Sequence, residues 1–165
     1  MFTIKRILVP IDFSEVAHAA ISAALQLASD NEGCEIIGLY VQPDLATELE
    51  RRMETAPHGN AIMNAIEGHE ASIRAAFAQE RDRATAAGKA LRPSALRTYV
   101  SGGDWLEVCL QIIDDSQVDL VGAGTHGGAG GLKGQLVGSD TARLVHKAPC
   151  SVFVVKPAGY PYLRD

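Results

Sequence analysis

Three things are scarce in this chain of 165 residues, and each scarcity removes a class of function. Cysteine occurs only at Cys34, Cys109 and Cys150, odd in number, far apart and without metal-ligand spacing. Such thiols read as reduced core or near-core side chains, so no redox or cysteine-metal function is indicated. Clustered positive charge is missing too: 15 lysines and arginines are scattered among 20 acidic residues, for a net charge of −5. Nucleic-acid binders carry a basic footprint, so nucleic acid is not an expected partner. Long apolar runs are the third absence. The run after Lys5 and Arg6 ends at Asp12, too short for a secretory signal and far too short to cross a membrane. A cytoplasmic location and no membrane partner are the expectations.

The remaining composition, 47% hydrophobic and 21% charged, is ordinary for a globular protein with a substantial core. One domain is expected over residues 1–157, with an irregular helical insertion at about 43–64 and a C-terminal tail over 158–165. Ile4 to Val9 reads as a buried first strand, broken by Pro10. Asp12 and Glu15 have the spacing of a helix cap and its carboxylate, ahead of an alanine-rich amphipathic stretch to about Ser29. Glu35 to Val41 is the second strand. From Gln42 to Gly88 the pattern is helical but interrupted at Pro57, which predicts a short excursion and then a helix returning to the sheet. Ala95 to Val100 is the third strand, and Asp104 with Glu107 offers another cap. Val118 to Ala123 and Ser151 to Val155 are the fourth and fifth strands, with a helix between them capped by Ser139. Trp105 reads as a packing residue in the first turn of its helix.

Such alternation predicts a doubly wound α/β fold. In such sheets a ligand sits beyond the carboxyl ends of the strands, where the strand order reverses. With the order 3-2-1-4-5 that point lies between strands one and four. Two unusual polar features then converge there. One is Asp12, after strand one. The other is the stretch Val121 to Ser139, which holds eight of the 16 glycines. Glycine lets backbone amides approach a ligand closely and turn the same way, which suits an anion such as phosphate. A helix N-terminus after such a loop adds to the attraction.

Two familiar phosphate motifs do not fit. Gly122, Gly124 and Gly127 spell the dinucleotide fingerprint, yet they follow the wrong strand and the next strand ends in Val155 and Lys156 rather than an acid. Lys133 is followed by glycine, so the Walker pattern fails as well.

A better match is to the universal stress protein family, whose ATP-binding branch this chain resembles. Gly124, Thr125, His126 and Gly127 fit the first half of that branch's glycine loop, and Gly138 with Ser139 fits the second. The resemblance extends to ILVPIDFSE at the first strand and helix, LYV at the second strand, and the closing APCSVFVVK. Residues 128–137 put ten positions between Gly127 and Gly138, where the family pattern has nine. The loop then holds either a triphosphate or only the nucleoside end of one.

The resemblance implies a five-stranded parallel sheet of order 3-2-1-4-5 with helices on both faces, Rossmann-like and akin to the adenine nucleotide alpha hydrolases. It implies ATP as ligand, with Mg2+, and a homodimer formed through the C-terminal strand. By the same resemblance the amides of Gly124, Gly127, Gly138 and Ser139, with the Ser139 hydroxyl, bind ribose and phosphates. Pro10, Ile11 and Val41 line the adenine pocket. Asp12 meets the ribose or a phosphate-bridging magnesium, a role compatible with capping a helix. Ala123, Thr125 and His126 complete the loop segment, His126 as a hydrogen-bonding residue, and Asp140 lies beside the phosphates while pointing to solvent. Lys133 and Arg143 either offset phosphate charge or are solvated surface groups. No catalytic residue is assigned. The function implied is a nucleotide-dependent stress-response module, with a slow ATP hydrolase or a dimerisation module without nucleotide as alternatives.

Overall fold

Strand and helix alternate in the computed structural model, which describes residues 3–55, 60–125 and 138–156. The elements are β1 (Arg6–Pro10), α1 (Glu15–Asp30), β2 (Glu35–Gln42), α2 (Leu45–Thr55), α3 (Asn60–Ala86), β3 (Ala95–Gly102), α4 (Trp105–Asp115), β4 (Leu120–Gly124), α5 (Ser139–Lys147) and β5 (Ser151–Val155). The five strands form one parallel sheet in the order β3-β2-β1-β4-β5, as expected. The chain order reverses beside β1, which pairs with β2 on one side and β4 on the other.

Parallel strands with helices on both faces are apolar on both sides, and alternate residues choose the face. Ile7, Val9 and Ile36 pack with Ile21 and Leu25 of α1 and with Ile73 and Phe77 of α3. Leu8, Ile37 and Leu39 point the other way, to Leu106, Cys109 and Ile113 of α4 and Leu144 of α5. α3 lies close on the sheet because Gly38 leaves room for it. A Cβ there would stand 2.6 Å from the Ile73 side chain and 3.1 Å from the Phe77 ring.

Several boundaries differ from the sequence reading. β1 takes in Pro10, which stays in register with Leu39 of β2, and β3 runs on to Gly102 because β2 pairs with it over its whole length. The excursion after β2 is the helix α2, followed by the 27-residue α3. Two caps are corrected. Ser14, not Asp12, caps α1: its hydroxyl accepts from the Ala17 N–H at 3.2 Å. Phe13 adopts φ +60°, and this left-handed turn delays the helix start until after Asp12. At α5 the cap is Gly138, with no side-chain cap bond, and Ser139 is the first helical residue. α4 starts as expected, the Asp104 carboxylate accepting from the Glu107 N–H at 3.0 Å.

Candidate functional site

The carboxyl ends of β1, β2 and β4 open onto a crevice of about 490 Å³, within the size range of small-molecule sites. β1 and the turn after it contribute Pro10, Ile11 and Asp12, and the start of α1 adds Ser14 and Ala17. β2 ends in Tyr40 and Val41 on the next wall, followed by Pro43. Trp105, the first residue of α4, stands beside them, while Ala123 and Gly124 close the side of β4. Asp140 and Thr141, in the first turn of α5, complete the lining.

Each wall has a local cause. Asp12 is held by the turn it helps to make, its Oδ1 accepting from the Ser14 N–H at 3.0 Å and the Ser14 hydroxyl at 2.6 Å. The Ile11 N–H donates to the Leu39 carbonyl at 2.8 Å, which continues β1 alongside β2 into the crevice. On the other side the Thr141 hydroxyl donates to the Gly124 carbonyl at 2.9 Å, tying α5 to the end of β4. The Thr125 N–H donates to Val155, and its carbonyl accepts from Gly138, so both ends of the glycine loop are anchored. α5 therefore begins at the crevice, its first-turn amides and positive dipole end offered to an anion.

Gly124 is small for a reason the sequence did not disclose. A Cβ there would lie 2.6 Å from the Val16 side chain, so α1 occupies the space that any larger residue needs. Thr125 is fully buried, and its hydroxyl oxygen has no hydrogen-bond partner among the described residues. Such a group carries a desolvation cost.

The structure thus brings together Pro10, Ile11, Asp12, Val41, Ala123, Gly124 and Asp140 around one space. Thr125 is buried, and Gly138 and Ser139 lead into α5. Gly127, His126 and Lys133 lie outside the described residues. Asp140 is 62% exposed and pairs with Arg143 at 3.5 Å, so it faces solvent as well as the crevice. Sequence reasoning missed Ser14, Tyr40, Trp105 and Thr141 as lining residues. Their signal was positional: a residue at a strand's carboxyl end or in the first helical turn after it faces the ligand side of such sheets.

The thiols stand apart from this chemistry. All three cysteines are free, and burial pushes the Cys109 thiol up to about 12. Cys34 and Cys150 are raised by burial as well.

Fold and crevice together define a doubly wound α/β domain with a ligand-sized cleft at its topological switch point. The chain belongs to the universal stress protein family, whose family model matches residues 3–156. Among solved structures, the universal stress protein UspA from Lactobacillus plantarum is 23% identical, covering 93% of this chain and 98% of that one, with a TM-score of 0.60. A hypothetical protein whose biochemical function was assigned from its structure is 24% identical, covering 94% and 97%, at a TM-score of 0.68. A universal stress protein in complex with cAMP is 21% identical, covering 93% and 98%, at 0.57. At these identities the likeness is one of fold. No curated protein matches the chain.

Proposed function

We propose that this protein binds ATP, together with Mg2+, in the crevice and acts as a nucleotide-dependent regulatory module of the stress response. One observation carries the reading. Two motifs more than a hundred residues apart in sequence, at Asp12 and at Gly124, meet around a single space of about 490 Å³ whose rim includes the start of α5. The cAMP complex of a similarly folded family member supports it. Gly124, Gly138 and Ser139 would present backbone amides to ribose and phosphates, with Gly127 and His126 in the intervening loop. Pro10, Ile11 and Val41 would flank adenine. Magnesium is usually bound through one or two carboxylates plus phosphates rather than in a protein cage. No cluster of three or more metal-ligating side chains occurs among the described residues, so Asp12 and the nucleotide's own phosphates are the set that would hold it.

The protein is further proposed to be a cytoplasmic homodimer with one domain over residues 1–157. Among the described residues β5 pairs only with β4, and its residues Val152 to Val155 remain partly exposed. An apolar strand edge of this kind is normally covered, and a second copy pairing along it would do so. No helix among the described residues is long and apolar enough to cross a membrane.

The test is to denature the purified protein, look for released adenine nucleotide by mass spectrometry, and titrate ATP, ADP and AMP calorimetrically into the emptied protein. Saturable ATP binding is expected. Absence of binding at millimolar concentration overturns the reading. Turnover faster than about one per second would make the protein an enzyme instead.

A further inference from the structure

The chain has a single tryptophan, and the fold sets it at the crevice. β3 hands over to α4 through Gly102, Gly103 and Asp104, a turn with little freedom. Gly103 sits at φ +107°, and a Cβ on Gly102 would meet Leu45 Cβ at 3.1 Å. The Asp104 cap then fixes the first turn of α4, in which Trp105 stands. The indole packs against the core on the α4 side of the sheet yet keeps part of its surface on the crevice.

Strand order decides which end of a ligand reaches it. Gly124 and the start of α5 lie over β4, on one side of β1, and form the end suited to phosphate. Trp105, Val41 and Pro43 lie toward β2 and β3, on the opposite side of β1. The lining carboxylates, Asp12 and Asp140, belong to the β1 turn and to α5. An elongated ligand with its anionic group over β4 therefore projects its other end onto an uncharged wall of proline, valine and indole. A flat, weakly polar ring is the group that such a wall holds.

We infer that Trp105 is the stacking platform for the purine base, a base-recognition role that rests on the crevice being the nucleotide site. Stacking of a base on an aromatic side chain is lost on substitution by alanine, with about a tenfold loss of affinity or more. Purines, with the larger π-face, gain more from it than pyrimidines.

The experiment follows indole emission and calorimetric heat together on the full chain. With one tryptophan, emission reports this residue alone. ATP is expected to change the emission with the same midpoint that calorimetry gives. Trp105→Ala should weaken ATP about tenfold, narrow the preference for ATP over CTP, and leave inorganic triphosphate binding unchanged. Trp105→Phe should restore most of the ATP affinity. Calorimetric ATP binding with unchanged emission, or with wild-type affinity in Trp105→Ala, overturns the stacking role and leaves the site intact. Should Trp105→Ala fail to fold, emission from the unmodified protein and the affinity of Trp105→Phe still decide. Failure of wild-type protein to bind any nucleotide overturns the site and the stacking role together.

Discussion

The two ends of the sheet are finished in opposite ways. At the amino end, polar groups are consumed by one another. The Asp119 carboxylate accepts from the Lys5 and Arg6 N–H groups at 2.8 and 2.9 Å. Glu35 receives a two-pronged bond from Arg97, both arms at 2.6 Å, with Arg6 nearby at 3.6 Å. A hollow of about 340 Å³ lies there too, but the two arginines in its lining are already held by Glu35. At the carboxyl end the accounting is incomplete. Gln42 Oε1 and Thr125 Oγ1 are the buried side-chain atoms without a partner among the described residues, and both sit where a strand runs out. Groups that satisfy each other hold a fold together, whereas buried groups left unsatisfied cost stability. The proposed nucleotide site lies at the end whose buried polar groups are incompletely paired among the described residues.

The largest expected effect tests whether the open end also has a structural duty. Gly124→Ala pushes a methyl into Val16 of α1 and should cost about 2 kcal/mol, read as a lowered denaturation midpoint at constant slope. An unchanged midpoint would mean that this glycine serves the ligand alone.

Next comes the closed end. The hydrogen bond from Arg97 chiefly, reinforced by its charge and that of Arg6, holds the Glu35 carboxyl below the usual carboxylate range despite some burial. A depressed folded value stabilises the protein above the ordinary carboxylate value and loses that contribution as pH falls through the folded one. Glu35→Gln should therefore be less stable than the parent by about 1 kcal/mol at neutral pH, with the difference vanishing in acid. A gap that persists in acid would assign the effect to packing rather than charge.

The smallest effect has the opposite sign. Thr125→Val replaces a buried hydroxyl without a described partner by a methyl of similar shape, so the free protein should be unchanged or more stable by about 0.5 kcal/mol. Destabilisation of the free protein would show that the hydroxyl is already satisfied and would blur the contrast between the two ends.

Much of this was legible beforehand, for identifiable reasons. The runs at Ile7 and Ile36, the amphipathic stretch after Ser14 and the cap at Asp104 are local patterns, and local patterns survive in a sequence. Misplaced features depended on one backbone angle or on a distant neighbour. Phe13 at φ +60° moved the α1 cap from Asp12 to Ser14, and no periodicity announces such a turn. Gly124 was read from its place in the glycine-rich stretch, and the structure adds a packing reason for its size, a helix that begins more than a hundred residues earlier.

The glycine-rich stretch and Asp12 could be singled out from composition and spacing alone, and so could the alternating strands that place them at one edge, because each depends on residues near in the chain. That Trp105, Tyr40 and Thr141 line one crevice with them is settled only by the fold, although their positions at strand ends and in first helical turns pointed that way. Their neighbours are set by strand order and by how closely α1, α4 and α5 approach the sheet, and packing across such sequence distances exists only once the chain has folded.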